Sequence, residues 1–324
     1  MESILVTGGM GFIGSHLAQY LKSKGYCVTV ADIRKDCYFP LNIDAIKVAD
    51  LRNFEQCLRL TKGTDWVFNL AANMGGIFYI STVGADIMRD NSLININMAE
   101  ACRRNNIKRL FFSSSACIYP AYKQKEPMVE PLKEEFAVPA EPDQFYGWEK
   151  LFTEKLLEAY SKDYGLEVRI ARFHNIYGPF GTYRGGREKA PAALCRKVAE
   201  AKDGGEIEIW GDGRQTRSFL YIDDCVEAVY RLMLSDYSEP LNIGSEELIT
   251  IDELADFIIK ISGKSLRKRH DPTKPQGVRG RNADLTLIKK ILTWEPKISY
   301  KEGLSRTYAW IEEQVKKDRG AGLV

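Results

Sequence analysis

The start of the chain limits its fold more than any other segment. The apolar run Ile4-Leu5-Val6 ends at Thr7 and breaks into Gly8-Gly9-Met10-Gly11-Phe12-Ile13-Gly14, and a helical pattern then runs from Ile13 to Ser23. A strand, a glycine turn and a helix in this order open a βαβ unit. Gly9, Gly11 and Gly14 satisfy G-x-G-x-x-G, and with Gly8 the chain also offers the offset Gly8, Gly11, Gly14, spaced G-x-x-G-x-x-G. Glycines let the backbone approach a pyrophosphate closely. The free N–H groups where the helix begins, at Phe12, Ile13 and Gly14, add a partial positive charge. Asp32 closes the next strand, where a carboxylate meets the adenosine ribose. It repels a 2′-phosphate and so favours NAD over NADP, a preference that nearby Arg34 weakens. Asp50, after the third strand, reads either as an adenine contact or as a solvated Asp opening a helix.

The alternation continues along the first half. Strands are expected at Cys27–Ala31, Ile46–Ala49, Trp66–Leu70, Leu110–Ser113 and Glu167–Ala171, with helices at Leu93–Asn105 and Gln144–Tyr164. Strands separated by helices require right-handed crossovers and a parallel sheet, so the fold class is α/β, a Rossmann-type doubly wound sheet. After Arg172 the pattern loosens. Helices are expected at about 192–201, 223–234, 251–262 and 300–316, with strands at 207–210 and 218–221. The formal charge of +2 demands neither nucleic acid nor an anionic membrane. Seven scattered cysteines with no Cys-x-x-Cys pair argue against a disulfide framework or a metal site and point to a reducing cytoplasm. The N-terminus reads as a first strand and not as a signal peptide, and no apolar run approaches the roughly 18 residues of a membrane helix.

Three further positions carry chemistry. Ser115 lies in Ser113-Ser114-Ser115-Ala116-Cys117-Ile118-Tyr119-Pro120, directly after the fifth strand. Tyr146 and Lys150 lie one turn apart on one helix face. A free Tyr titrates near about 10, and a neighbouring ammonium together with a nicotinamide cation favours the phenolate. Tyr146 can then take the proton of a sugar hydroxyl, with Ser115 bonded to the same oxygen. Tyr-x-x-x-Lys is by itself a common solvated helical pair. It gains weight here from the glycine turn before it. Cys117 suggests a second task, moving a proton on carbon beside a newly formed ketone. A thiol near about 8.5 is brought into range by a nearby cation, although an isolated Cys is more often a small buried side chain.

The glycine turn, Asn69-Leu70-Ala71-Ala72, the Ser113–Tyr119 string, Tyr146–Lys150 and Arg172-Phe173-His174-Asn175-Ile176-Tyr177-Gly178-Pro179 together resemble the extended short-chain dehydrogenase/reductase family. The resemblance runs from about residue 3 to about residue 315. It implies a Rossmann domain over 1–171 with tightly held NAD, rejoined by about 216–242. A smaller α/β domain over 172–215 and 243–316 would bind a nucleotide sugar, and 317–324 would be a frayed tail. Longer strings, Gly185-Gly186-Arg187-Glu188-Lys189-Ala190-Pro191, Trp210–Gly213 with Gln215–Phe219, and Gly277–Asn282, are similar to the branch of that family that epimerises GDP-mannose.

That resemblance implies a substrate, GDP-mannose or a related nucleotide sugar, and inversion at C3 and C5 through a transient 4-keto sugar to give GDP-L-galactose and the C5-only product. It also implies roles. Cys117 and Lys189 would be the acid/base pair, and Tyr146 with Lys150 the redox pair. Gly75, Ser115, Ala116 and Cys117 would contact the sugar. Asn175, Glu188, Lys189, Ala190 and Lys197 would bind substrate. Gln215, Thr216, Arg217 and Arg281 would grip the GDP portion, where guanidinium forks and ammonium groups suit a diphosphate. Relatives imply a homodimer formed through the 93–105 and 144–164 helices. One departure stands out. Asn73-Met74-Gly75-Gly76-Ile77-Phe78-Tyr79 replaces a longer glycine-rich stretch, in a loop expected near the sugar, and so bears on which carbons are inverted. The alternatives are an epimerase inverting one carbon or using another nucleotide, a net dehydrogenase or reductase that turns over free NAD, and a non-catalytic NAD-binding module.

Overall fold

The computed structural model describes residues 2–322. The first half runs β1 (Ser3–Thr7), α1 (Phe12–Ser23), β2 (Cys27–Asp32), β3 (Ala45–Val48), α2 (Phe54–Thr61), β4 (Trp66–Asn69), α3 (Ile77–Thr82), α4 (Gly84–Arg104), β5 (Arg109–Ser115), α5 (Phe145–Tyr164) and β6 (Val168–Phe173). It continues through β7 (Ile176–Tyr177), α6 (Ala190–Glu200), β8 (Glu206–Trp210), β9 (Thr216–Ser218), β10 (Leu220–Tyr221), α7 (Ile222–Leu234) and β11 (Leu241–Ile243). The last elements are β12 (Leu248–Thr250), α8 (Ile251–Ser262), β13 (Arg267–Asp271), β14 (Gly280–Arg281), α9 (Thr286–Leu292) and α10 (Tyr300–Gly320).

Seven strands form one sheet in the order β11-β6-β5-β4-β1-β2-β3, every pair parallel. Strand alternation explains how it is buried. Ile4 and Val6 face one core with Val28, Val30, Phe68 and Phe111, while Leu5 between them faces another with Val67, Leu110 and Phe112. Both faces are covered, the arrangement that all-parallel sheets require. Each such side chain taken fully from water contributes about 1.5–3 kcal/mol. The chain builds outward from β1 in one direction through β3, then in the other from β4, leaving a crevice above the carboxyl ends of β1 and β4. The glycine turn, Asp32 and the Ser115–Cys117 turn all follow carboxyl ends of strands in this sheet.

The expected strands and the long helix over 144–164 are present. Helix α4 starts at Gly84, well before Leu93, because only Val83 separates it from α3 and its first turns are polar. A helix after Asp50 is one of the two readings of that residue, and α2 is capped by Asn53, which accepts from Gln56 N, and not by Asp50. Thr216–Ser218, expected on the Rossmann side, pairs instead with β12 and β14 in a separate three-stranded sheet, and the return to the large sheet is made by β11. The tail expected to fray from 317 continues as α10 to Gly320, with Glu313–Lys317 and Glu312–Lys316 pairs along it. Residues 323–324 of that tail lie outside the described residues. Among the described residues, no helix is long and apolar enough to cross a membrane, and no His/Cys/Asp/Glu group could hold a metal ion.

Candidate active site

A single cavity of about 800 Å³ runs from the glycine turn to the second sheet region. Its first half is a dinucleotide cradle. Gly8 is left-handed at φ +64, and a Cβ there would fall 2.8 Å from the Ala71 backbone. A Cβ on Gly14 would lie 2.3 Å from the Gly8 carbonyl oxygen, so only glycine lets α1 sit this close to the turn. Helix α1 has no side-chain cap, leaving the Phe12, Ile13 and Gly14 amides facing the cavity. Asp32 accepts from Met10 N at 3.0 Å and Arg34 N at 2.9 Å, which holds its carboxylate at the rim. Asp50 also lines the cavity, but Arg52 pairs with it at 2.7 Å and holds its carboxyl below the usual range. An uncapped helix N-terminus, a backbone that no Cβ can enter and a ribose-height carboxylate fit NAD.

The next residues come from β5 and α5. Ser115 caps the short turn after β5 by accepting from Cys117 N at 3.1 Å, and its hydroxyl stands near the Tyr146 phenol. Gly147 is required by this approach, since a Cβ would stand 2.1 Å from the Cys117 carbonyl oxygen. Burial pushes the Tyr146 phenol well above its ordinary value. Cys117 and Glu149 add to the shift, and the Ser115 hydroxyl opposes it. Burial likewise lowers Lys150, whose ammonium lies 4.6 Å from the Phe112 ring centre and 5.6 Å from that of Tyr146. The expected pull toward the phenolate joined this ammonium to a nicotinamide cation, and the ammonium is here outweighed by burial. The protein keeps the phenol protonated, and a cation entering the cavity is needed to reverse that.

Beyond Tyr146 lies the second half. Cys117 Sγ accepts from Arg281 Nη1 at 3.3 Å, while Arg281 Nε donates to Gln124 Oε1 at 2.6 Å and Asp143 lies 3.7 Å away. Arg281 thus stands at the Cys117 end of the cavity, its buried Nη2 facing Asp143 without a hydrogen bond. Lys189 caps the start of α6 and lines the same space. Burial lowers its ammonium, and Cys117 opposes the shift. Glu188 accepts from Gly186 N at 2.7 Å and Arg196 at 3.3 Å. Gly75, Ala116, Asn175, Ala190 and Lys197 also line the cavity. Asn175 is left-handed at φ 38 and donates to Ser218 O. Lys197 donates to Glu208 O at 2.8 Å, so it is anchored and not free.

Arg217 lines the cavity and is half-buried; burial and Arg281 push its guanidinium down to about 9. Its N–H groups donate to Thr216 O, Gln276 O and Val278 O. Gln215 presents a buried Oε1 without a partner. Thr216 does not line the cavity. Its hydroxyl donates to Pro127 O, because neighbours on a strand face opposite sides. Sequence reasoning missed two supports. Buried Glu154 accepts from Ser114 Oγ at 2.5 Å and pairs with Arg172 at 2.7 Å. Buried Glu149 accepts from Asn95 at 2.7 Å, Asn91 at 3.2 Å and Thr153 at 3.0 Å. The i, i+4 spacing of Asn91 and Asn95 was the only local signal.

Fold and cradle define a nucleotide-dependent oxidoreductase scaffold, and the chain belongs to the NAD dependent epimerase/dehydratase family, whose model matches residues 4–244. Its cofactor is NAD. Over 321 residues it is 51% identical to GDP-mannose 3,5-epimerase of Arabidopsis thaliana, covering 98% of this chain and 84% of that one. Among solved structures it is similar to a UDP-glucose 4-epimerase of Thermotoga maritima with UDP-glucose, at TM-score 0.88 and 29% identity over 97% and 99% of the two chains. It is also similar to a UDP-glucuronic acid 4-epimerase of Bacillus cereus in complex with UDP-glucuronic acid and NAD, at TM-score 0.84 and 28% identity over 96% and 99%.

Proposed function

We propose that this protein epimerises GDP-mannose at C3 and C5 through a transient 4-keto sugar, giving GDP-L-galactose and the C5-only product. The observation that carries this reading is Cys117, set two residues past the serine that meets Tyr146 and sharing its cavity with Lys189. A 4-epimerase needs no such second pair. The 51% identity to GDP-mannose 3,5-epimerase over nearly the whole chain points the same way.

The cofactor these residues fit supplies a hydride acceptor at C4 that later gives the hydride back. Tyr146 takes the C4 hydroxyl proton, with Ser115 bonded to the same oxygen and Lys150 available to the nicotinamide ribose. Ketone formation acidifies the hydrogens on C3 and C5. The Cys117 thiolate, beside the Arg281 cation, removes one of them. Lys189 delivers a proton to the opposite face, and its lowered proton affinity makes it a stronger acid than a free lysine. Gln215 and Arg217 hold the GDP portion, the first through its open acceptor. Tyr146 finally returns its proton to O4.

Leu93 and Ile96 on α4, with Trp148 and Phe152 on α5, are 38–47% exposed and form an apolar face that supports a homodimer. Seven free cysteines support a reducing, cytoplasmic setting. The test is incubation with GDP-mannose in deuterated water without added cofactor, followed by NMR. Deuterium at C3 and C5 is the expected result. Deuterium at a single carbon would reduce the reading to a one-centre epimerase, and net NADH release with no deuterium would replace it with a dehydrogenase.

A further inference from the structure

The loop that carries Lys189 has little to hold it by itself. Gly185 and Gly186 are left-handed, at φ 89 and 83, with nothing within 4 Å of a Cβ on either. Glu188 folds back on the Gly186 amide, and Arg187 is exposed. What holds the loop comes from the segment Asn73–Tyr79. Gly76 N donates to Arg187 O at 3.0 Å, and a Cβ on Gly76 would stand 2.4 Å from Glu188 O, so the two backbones touch. The Arg187 guanidinium lies 3.9 Å from the Tyr79 ring centre and donates to the Tyr79 hydroxyl at 2.5 Å. The hydroxyl in turn donates to Asn73 Oδ1 at 2.6 Å.

Asn73 is fixed from behind. Its N–H donates to Asn91 Oδ1 at 2.6 Å, and Asn91 Nδ2 donates to Asn73 O and to Glu149 Oε2, each at 3.2 Å. Glu149 is fully buried and precedes Lys150 on α5. One hydrogen-bonded chain, Glu149–Asn91–Asn73–Tyr79–Arg187, therefore joins the helix of the redox pair to the loop of the acid. We propose that Tyr79 and Arg187 form a latch that closes the Gly185–Lys189 loop over the sugar, Tyr79 being a positioning residue that sets Lys189 opposite Cys117. The inference rests on the reading of Lys189 as the acid.

The latch separates two readouts that a merely structural residue would move together. Oxidation at C4 needs Tyr146, Ser115 and Lys150, which stand on β5 and α5 and make no hydrogen bond to the loop. Proton delivery to carbon needs Lys189 in place. In Tyr79→Phe, solvent deuterium uptake at C3 and C5, measured against formation of bound NADH at 340 nm, falls by about tenfold or more. KM for GDP-mannose moves less. Arg187→Ala has the same effect, and the double variant is no worse than either single one. Ser81→Ala, exposed on the same helix, leaves the ratio unchanged. A Tyr79→Phe enzyme with the wild-type ratio overturns the latch, as do single-variant losses that simply multiply. A readout independent of the sugar accompanies these. Amide exchange at residues 185–189 of the NAD-loaded enzyme becomes about tenfold faster in Tyr79→Phe, and unchanged exchange also overturns the latch. A wild-type enzyme that neither oxidises GDP-mannose nor takes up deuterium overturns the substrate assignment instead, and the exchange result then decides the latch alone.

Discussion

Replacing Gly147 with Ala tests whether the contact between α5 and the Cys117 turn places the reacting groups. The new Cβ would sit 2.1 Å from the Cys117 carbonyl oxygen and 2.9 Å from Pro142 Cβ. Ordinary contact begins at 3.4 Å, so turn and helix must part by about 1.3 Å. The oxygen is backbone, and its own turn is pinned by the Ser115 cap, so no flexible side chain can absorb the movement. Overpacking of this kind costs about 1–3 kcal/mol of stability. The same displacement moves Tyr146 away from Ser115 and Cys117 away from the sugar, and an error of about 1 Å at reacting atoms costs about 100-fold in rate. KM should change less, because Gln215 and Arg217 sit on another element. Denaturant titration gives the first quantity, and NMR rates with GDP-mannose the second. Gly165→Ala is the control. That residue is left-handed at the end of α5 with nothing within 4 Å of a Cβ, so it should lose stability through backbone strain and keep its rate. A Gly147→Ala enzyme that is stable and fully active would refute the reasoning.

Cys117→Ala should abolish deuterium uptake at C3 and C5, a loss of about 10²–10⁴, while bound NADH still forms with GDP-mannose; normal uptake would remove Cys117 from the chemistry. His174 is buried and donates to Asn242 Oδ1 at 3.0 Å, and burial lowers its pKa to about 3. The unfolded chain binds that proton near pH 6.5 and the folded chain does not. Stability is therefore fully present above pH 6.5 and is lost toward pH 3 at about 1.4 kcal/mol per unit. His174→Gln should reduce that slope in denaturant titrations across pH, leaving the parallel effect of His16, which is lowered to about 4, and the contributions of the shifted carboxylates. Glu154→Gln strands the buried Arg172 guanidinium and should cost about 3–5 kcal/mol, read as a fall in Tm; an unchanged Tm would show that the pair is dispensable.

Much of this site was legible because its groups sit on turns directly after strands, where Gly, Ser and Asp have a local reason to be. The glycine turn, Asp32 and Ser115 each follow from one segment read alone, and the Tyr146–Lys150 spacing gains its meaning from the glycine turn before it. Other features depend on partners far along the chain. Arg281 looked like a phosphate ligand, yet it bonds Cys117 and Gln124, more than 150 positions away. Thr216 sat in a convincing string, but strand alternation turns it away from its neighbours. Strand β13, Arg267–Asp271, carries no apolar pattern and is fixed by pairing with β8. Nothing local marks the Glu149 and Glu154 carboxylates, which tertiary packing buries.

Cys117 is held on three sides: its amide by Ser115, its carbonyl by the Gly147 approach and its sulfur by Arg281. Little remains to it but rotation about a single side-chain bond. A base so tethered cannot travel between two neighbouring carbons. If one thiol serves both, the pyranose has to pivot between the first inversion and the second. The proportion of singly and doubly inverted sugar then becomes a contest between that pivot and the hydride's return, decided by the room the cavity leaves around the ring.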